Sequence, residues 1–287
     1  MIPYTRYVRI LKWMTLALLA YVVTVFVVRV PWATVAVGLV TFPQLPWNAA
    51  YITTIVAVFG TTISPYLFFW QAEEEVDEAR ERPRAKPLER APEQAAGEFR
   101  RIRIDTYIGM AMSNLVALFI IVTVAATLHA RGVTDIQTSS QAAEALRPIA
   151  GPFAFLVFAL GIIGTGLLAL PVLAGSSAYA LGETFGWHVG LARRPARAKA
   201  FYAAIAIATL VGVALNVSSI DPIKALFWSA VINGVVAVPV MVLMMHLSTH
   251  QPAMGNFRLP PGLKIVGWAA TAVVTAAAAG LFATWGG

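Results

Sequence analysis

Cysteine is absent from all 287 residues. Disulfides, thiolate metal sites and cysteine nucleophiles are therefore excluded. Charge is scarce too: 12% of residues are Asp, Glu, Lys or Arg, about half of the ~25% in an ordinary soluble chain. No Asp or Glu falls in the middle of an apolar run. The four histidines, His129, His188, His246 and His250, lie near run ends. Only His246 and His250 have the i, i+4 spacing of a helical zinc pair, and they sit just before Pro252. An intramembrane enzyme therefore lacks its usual tools, and the chain reads as a non-enzyme. Glycine pairs such as Gly164 and Gly166, or Gly175 before Ser176 and Ser177, have no following Lys and make no phosphate-binding loop.

Apolar residues fill the space, at 59% of the chain with mean hydropathy +0.73. The fold class is an all-α polytopic membrane protein, bound to the lipid bilayer. The net charge of +7 does not point to nucleic acid, because the basic residues sit between apolar runs. The N-terminus is basic and then apolar. Arg29, Pro31 and Trp32 follow where a signal peptide would carry a small-residue cleavage site, so the first run is a retained helix.

Seven runs are long enough to cross a core of ~30 Å: about 13–28, 48–72, 104–128, 152–181, 201–217, 223–247 and 263–285. They form a single membrane domain. A Pro- and Trp-containing loop is expected at 31–47, and a charged cytoplasmic loop with a mobile middle at 73–101. The acidic residues Glu73, Glu74, Glu75, Asp77 and Glu78 read as a solvated helix face, or as a vestibule that attracts cations. Asp105, beside Arg101 and Arg103, reads as half of an interfacial ion pair. In the fourth run Pro171 implies a kink, and in the sixth Asn233-Gly234 and Pro239 imply interruptions. With the N-terminus in the cytoplasm and the runs alternating, 17 Lys and Arg fall inside and 4 outside. That asymmetry supports both the count and the orientation. The expected location of this multi-pass chain is a bacterial plasma (inner) membrane.

The second run is organised around Thr61-Thr62-Ile63-Ser64-Pro65-Tyr66. Pro65 lacks an amide N–H and pushes Ser64 out of the helical region. A broken helix is expected here, with an unwound link near residues 61–65, Ser64 as N-cap and Pro65 as the first residue of the second half. Such breaks at membrane depth persist where they line a cavity, and transporters use them for ions and substrates. Ser64 can be a cap, a substrate contact, or both. Tyr66 can be a packed or gating aromatic, or a proton carrier. Asn233, mid-run, can be interhelical glue or face the broken helix.

Three motifs carry a resemblance. GTTISPYLFFWQA at 60–72 resembles the sixth membrane helix of the Nramp family, and more closely its Nramp-related branch; GIIGTGLLALPVLAGSS at 161–177 resembles the eighth helix, and SAVINGVVAVP at 229–239 the tenth. The family comprises divalent metal transporters, usually proton-coupled symporters, with a leucine-transporter-like fold of two inverted repeats. The resemblance implies that this chain supplies helices five to eleven, a partial version of that fold. The first four helices, with their Asp-Pro-Gly-Asn-type ligand motif, have no counterpart and become an expected partner, in the same protein or a separate chain. It also implies metal contacts at Ser64 and at the Thr61 backbone carbonyl, on an ion pathway of Thr61, Thr62, Ile63, Ser64, Pro65, Tyr66 and Asn233. The family's Met-Pro-His is Ser64-Pro65-Tyr66 here, which replaces a soft thioether by a hard oxygen. Magnesium or manganese is the expected cargo, no bound cofactor is expected, and a coupling proton is left open without the family's His. The alternative is a transport-incompetent fragment or membrane scaffold.

Overall fold

A backbone out of reach of water must satisfy its own amides, so apolar runs of this length fold as helices. The computed structural model describes residues 4–28, 30–41, 47–81, 88, 90–133, 136–191, 193–215 and 217–285. Among them there are helices and turns and no strand. In order they are α1 (Tyr4–Met14), a 3-10 turn (Thr15–Leu18), α2 (Leu19–Val27), α3 (Trp32–Val40), α4 (Ala49–Thr62), α5 (Pro65–Glu81), α6 (Ala95–Thr127), α7 (Ser139–Thr184), α8 (Lys199–Leu215), α9 (Pro222–Thr249), α10 (Gln251–Met254) and α11 (Pro261–Thr284).

Six stretches are long and apolar enough to cross a membrane: Arg9–Val27, Ala49–Arg80, Pro92–Arg131, Gly151–Thr184, Pro222–Thr249 and Pro261–Thr284. Only 12% to 28% of each apolar window is buried within the protein. So much outward apolar surface calls for lipid rather than water. The expected fifth span is α8, which has 17 residues. At ~1.5 Å per residue it falls somewhat short of a ~30 Å core. The seven expected spans thus become six full-length stretches and one short helix.

Hydropathy marks where the membrane ends, not where the helix ends. The segment at 73–101 starts by continuing the second half-helix, as expected, with α5 running to Glu81; its end is helical too, because α6 begins at Ala95. Its middle, 82–87 with 89, where mobility is expected, lies outside the described residues. The loop expected at 31–47 contains α3, with Pro31 at its N-cap. Asp105 is exposed and makes no ion pair among the described residues. Arg101 instead pairs with Glu75, with Glu98 at 3.0 Å and with Glu78 at 3.3 Å.

α7 starts in the polar connection before the fourth run. Thr138 and Gln141 form a capping box: the Gln141 amide donates to Thr138 Oγ1 at 3.2 Å, and the Thr138 amide donates to Gln141 Oε1 at 3.2 Å. Gly151, at φ 84° and ψ 173°, interrupts α7. Glycine tolerates that φ, and Pro152 disfavours a helical residue before it. The backbone dihedrals stay helical through Pro171, so the break falls at Gly151 instead. α9 likewise runs unbroken through Asn233, Gly234 and Pro239.

The chain divides into two compact units. One comprises Met1–Pro43 and Trp70–Ile223. Tyr21, Val28, Val116, Leu128, Ala143 and Phe158 form one of its cores, around α2, α6 and α7. Gly161 sits against Ala20 and Tyr21, Gly164 against Ala17, and Gly175 against Trp70. A second core joins α7 to the start of α8 through Ala178, Tyr179, Ala198 and Phe201. The other unit comprises Gln44–Phe69 and Lys224–Gly287, and packs α4, α9 and α11 around Val56, Ala57, Val231 and Leu281.

Candidate functional site

The site grows from the end of α4. That helix opens on Asn48, whose side chain accepts the Tyr51 amide at 2.9 Å. Thr61 and Thr62 are still helical, and their hydroxyls donate back to the carbonyls of Ala57 at 2.8 Å and Val58 at 3.0 Å. Ile63 leaves the helix at φ −120° and ψ 59°, with its amide on the Phe59 carbonyl at 2.7 Å. Pro65 begins α5. The unwound link is therefore Ile63 and Ser64 alone, shorter than the 61–65 expected.

Ser64 is 1% exposed. Its hydroxyl does not cap α5. It donates back to the Gly60 carbonyl, with a longer contact to the Thr61 carbonyl at 3.4 Å. The Leu67 amide is taken by the Ser64 backbone carbonyl at 3.0 Å. The expected side-chain cap is thus replaced by a bond that closes the last turn of α4. Pro65 has no N–H to offer the Thr61 carbonyl, which is left with only the longer contact to the Ser64 hydroxyl.

No amide among the described residues donates to the carbonyls of Gly60, Thr61, Thr62 or Ile63. The single Ser64 O–H serves Gly60, with its weaker contact on Thr61, and the carbonyls of Thr62 and Ile63 have no hydrogen-bond donor among the described residues. Hard carbonyl oxygens at the negative end of a half-helix suit a divalent cation. Tyr66, half-buried, makes no hydrogen bond through its hydroxyl to a described residue. Asn233, half-buried on α9, also makes no side-chain hydrogen bond to a described residue. Among the described residues, no three His, Asp or Glu side chains are grouped so as to hold a metal. His246 and His250 stack on one another, with ring centroids 5.5 Å apart.

α9 crosses α4 at Gly60. A methyl there would overlap the Ala230 carbonyl oxygen and the Gly234 amide nitrogen, and a methyl on Gly234 would overlap the Val56 carbonyl oxygen. Two glycines thus let the backbones meet one turn before the break. Asn233 is next to that contact in sequence. A cavity of about 260 Å³ in the same unit lies at the opposite end of α4, lined by Ala49, Ala50, Thr53, Trp228, Leu281 and Trp285 among others.

A buried serine–proline break, its exposed carbonyls and a glycine crossing are the setting in which the relatives of this chain become informative. Residues 1–284 match the family model described as natural resistance-associated macrophage protein-like, Nramp. The chain belongs to the Nramp family. Two curated relatives named divalent metal cation transporter MntH, from Deinococcus radiodurans and Klebsiella pneumoniae subsp. pneumoniae, are each 23% identical to it, over 262 and 257 residues. The alignments cover 90% and 89% of this chain, and 54% and 56% of the relatives. The chain spans about half the length of the curated relatives it matches.

Two features of this Nramp chain lie beyond the motif at 60–66. One is the Gly60–Gly234 crossing, for which the only sequence signal is a pair of small residues in two apolar runs. The other is Asp77. It is fully buried, not part of a solvated face. Its Oδ2 accepts the Tyr179 hydroxyl at 2.8 Å and the Leu191 amide at 2.8 Å, and its Oδ1 accepts from Arg80 at 2.8 Å. Tyr202 braces the same loop by donating to the Leu191 carbonyl at 3.2 Å and the Arg193 carbonyl at 3.0 Å. Asp77 therefore ties the far end of α5 to α7 and to the turn that follows it.

Proposed function

We propose that the chain is part of a transporter that moves a divalent cation across the membrane by alternating access, with the break between α4 and α5 on the ion's route. The observation that carries this is the set of carbonyls at 60–63 that have lost their amide partners next to buried Ser64. The printed names of the relatives support the cation class. Oxygen-only contacts at this position favour magnesium or manganese over softer metals. Thr61 through its carbonyl, and Ser64 through its remaining lone pairs, are the proposed contacts. Tyr66 and Asn233 line the same route. A coupling proton is not assigned to Tyr66.

The unit that holds the break contains no Asp or Glu, because all 14 lie between Glu73 and Asp221. We therefore propose that carboxylates from elsewhere balance the cation, foremost those on the four helices that the family arrangement places ahead of this chain's first span. The proposed setting is a bacterial inner membrane, with the N-terminus in the cytoplasm. Magnesium and manganese uptake into proteoliposomes tests both halves. The chain alone is expected to take up neither ion, whereas the chain co-expressed with the segment that completes the length of its relatives takes up at least one. Ser64→Met in that complex is expected to shift preference from magnesium toward manganese. Strong uptake by the chain alone overturns the need for added carboxylates, and an unchanged preference in Ser64→Met removes Ser64 from the ion's contacts.

A further inference from the structure

We propose that the basic cavity between the end of α7 and the start of α8 binds the phosphate of an anionic ligand, with an anionic lipid headgroup as the source its position favours. The cavity has a volume of about 220 Å³ and is lined by Trp187, His188, Arg197, Ala198, Lys199 and Ala200, with Gly186 at its edge. That is room for several water-sized groups. Arg197, Lys199 and His188 are exposed and make no ion pair or side-chain hydrogen bond to a described residue. The cavity itself contains no acidic residue. Unpaired cations around one hollow give it a charge that a phosphate would neutralise.

Two of the lining residues add backbone donors. Ala198, with no side-chain acceptor, precedes α8; the first helical amide to find a carbonyl is that of Tyr202, on Ala198 at 3.1 Å. The amides of Lys199 and Ala200, both on the cavity's lining, have no acceptor among the described residues.

The position selects the source. α8 is apolar from Phe201 onward, so its start lies where a membrane surface begins. Phe185 and Trp187 are exposed and stack there, with centroids 5.4 Å apart, in the manner of interfacial aromatics. Arg193, Arg194, Arg197 and Lys199 all belong to this one connection. Basic pockets at helix ends on the positive side of a membrane protein attract anionic headgroups. Its residues belong to the compact unit that does not hold Thr61–Tyr66, and the proposal does not rest on the cation route.

Native mass spectrometry of the purified full chain provides the test, in micelles containing phosphatidylglycerol and phosphatidylethanolamine. Preferential retention of phosphatidylglycerol is expected. Each neutralised cation should weaken it about fivefold, so Arg197→Gln/Lys199→Gln should weaken it about 25-fold. Arg258→Gln/Lys264→Gln removes the same charge from the other compact unit and should leave retention unchanged. Ala200→Asp suits the first turn of a helix, so it keeps α8 folded while placing a repelling carboxylate in the cavity; it should abolish the preference. Inorganic phosphate separates the sources: displacement of the lipid by phosphate, together with phosphate binding in its absence, identifies a free phosphate ligand. Failure of phosphate to displace it identifies the lipid. Equal retention of both lipids without any phosphate binding overturns the proposal, as does an equal loss in Arg258→Gln/Lys264→Gln or an intact preference in Ala200→Asp.

Discussion

Replacing Asp77 separates a structural anchor from a surface charge. The carboxylate is buried, and its two oxygens do different work. Oδ2 takes the Tyr179 hydroxyl and the Leu191 amide, whereas Oδ1 faces Arg80, whose side chain is 44% exposed. Asp77→Ala removes both oxygens and leaves the Tyr179 hydroxyl without its acceptor, while the Leu191 amide keeps the Tyr179 oxygen at 3.0 Å. A charge-assisted bond contributes roughly 1.5–3 kcal/mol, and a buried donor left unpaired costs about 1–3 kcal/mol. Asp77→Asn can turn its amide oxygen toward Tyr179 and Leu191, while its nitrogen offers Arg80 no acceptor and releases that half-exposed side chain to water. It then loses mainly a half-exposed ion pair, worth ~1 kcal/mol or less. The expected order of stability is wild type, then Asn, then Ala, with the larger step between Asn and Ala. Thermal unfolding in detergent, followed by loss of monodisperse protein, reads that order. Tyr179→Phe should be much less than additive with Asp77→Ala, because both remove the same bond. If Ala and Asn were equally mild, or if the Ala and Phe effects simply summed, Asp77 would not be the anchor described.

Two further substitutions test the packing. Gly60→Ala forces a methyl into the α9 backbone and should destabilise by at least the ~1–3 kcal/mol of an overpacked core, whereas Gly97→Ala, with nothing within 4 Å of the added methyl, should stabilise α6 by about 0.5–1 kcal/mol. Paired melting curves would show shifts of opposite sign; shifts of the same sign would contradict the close crossing. Arg101→Gln releases Glu75, Glu78 and Glu98 together. Its cost, on the order of 1 kcal/mol, should shrink in 1 M salt, where the screening length falls to ~3 Å; a cost independent of salt would mean that packing, not charge, holds Arg101.

The break was legible because its cause is local. Pro65 cannot donate to Thr61 and Ser64 cannot easily be helical before it, so five letters suffice to place it. What the serine then does was less legible. A hydroxyl after a helix end has two directions available, forward to the next helix's amides or back to the last turn's carbonyls, and Ser64 takes the second. Asp77 was hidden for the opposite reason. Its partners, Tyr179 and Leu191, lie more than a hundred residues away, and within Glu73–Glu78 nothing distinguishes it from its neighbours. The start of α7 was readable in principle. Thr138-Ser139-Ser140-Gln141 has the spacing of a capping box, but its polarity makes it look like a connection when only hydropathy is followed. α3 is hidden in the same way, since Pro31 has the look of a loop residue although proline is at home at a helix start.

Charge distribution sets the limit on what the break can do unaided. The end of α4 contributes about half a negative charge and the start of α5 about half a positive one. Across a link of two residues these nearly cancel, so the helix ends alone offer a divalent ion little net attraction. The carbonyls supply directional contacts but no formal charge. Stripping water from such an ion is costly, and several kcal/mol per charge remain even after the surroundings relax. Every carboxylate in the chain belongs to the other compact unit, while the unit with the break carries Lys224, Arg258 and Lys264. On the proposed ion route the break would therefore supply oxygen contacts alone, and the balancing charge would come from elsewhere. Grafting a carboxylate at the link, as in Ser64→Asp, should raise manganese affinity of the isolated chain by at least tenfold if that division of labour is correct. An isolated wild-type chain that already binds manganese tightly, with no gain on the substitution, would show instead that the carbonyls suffice.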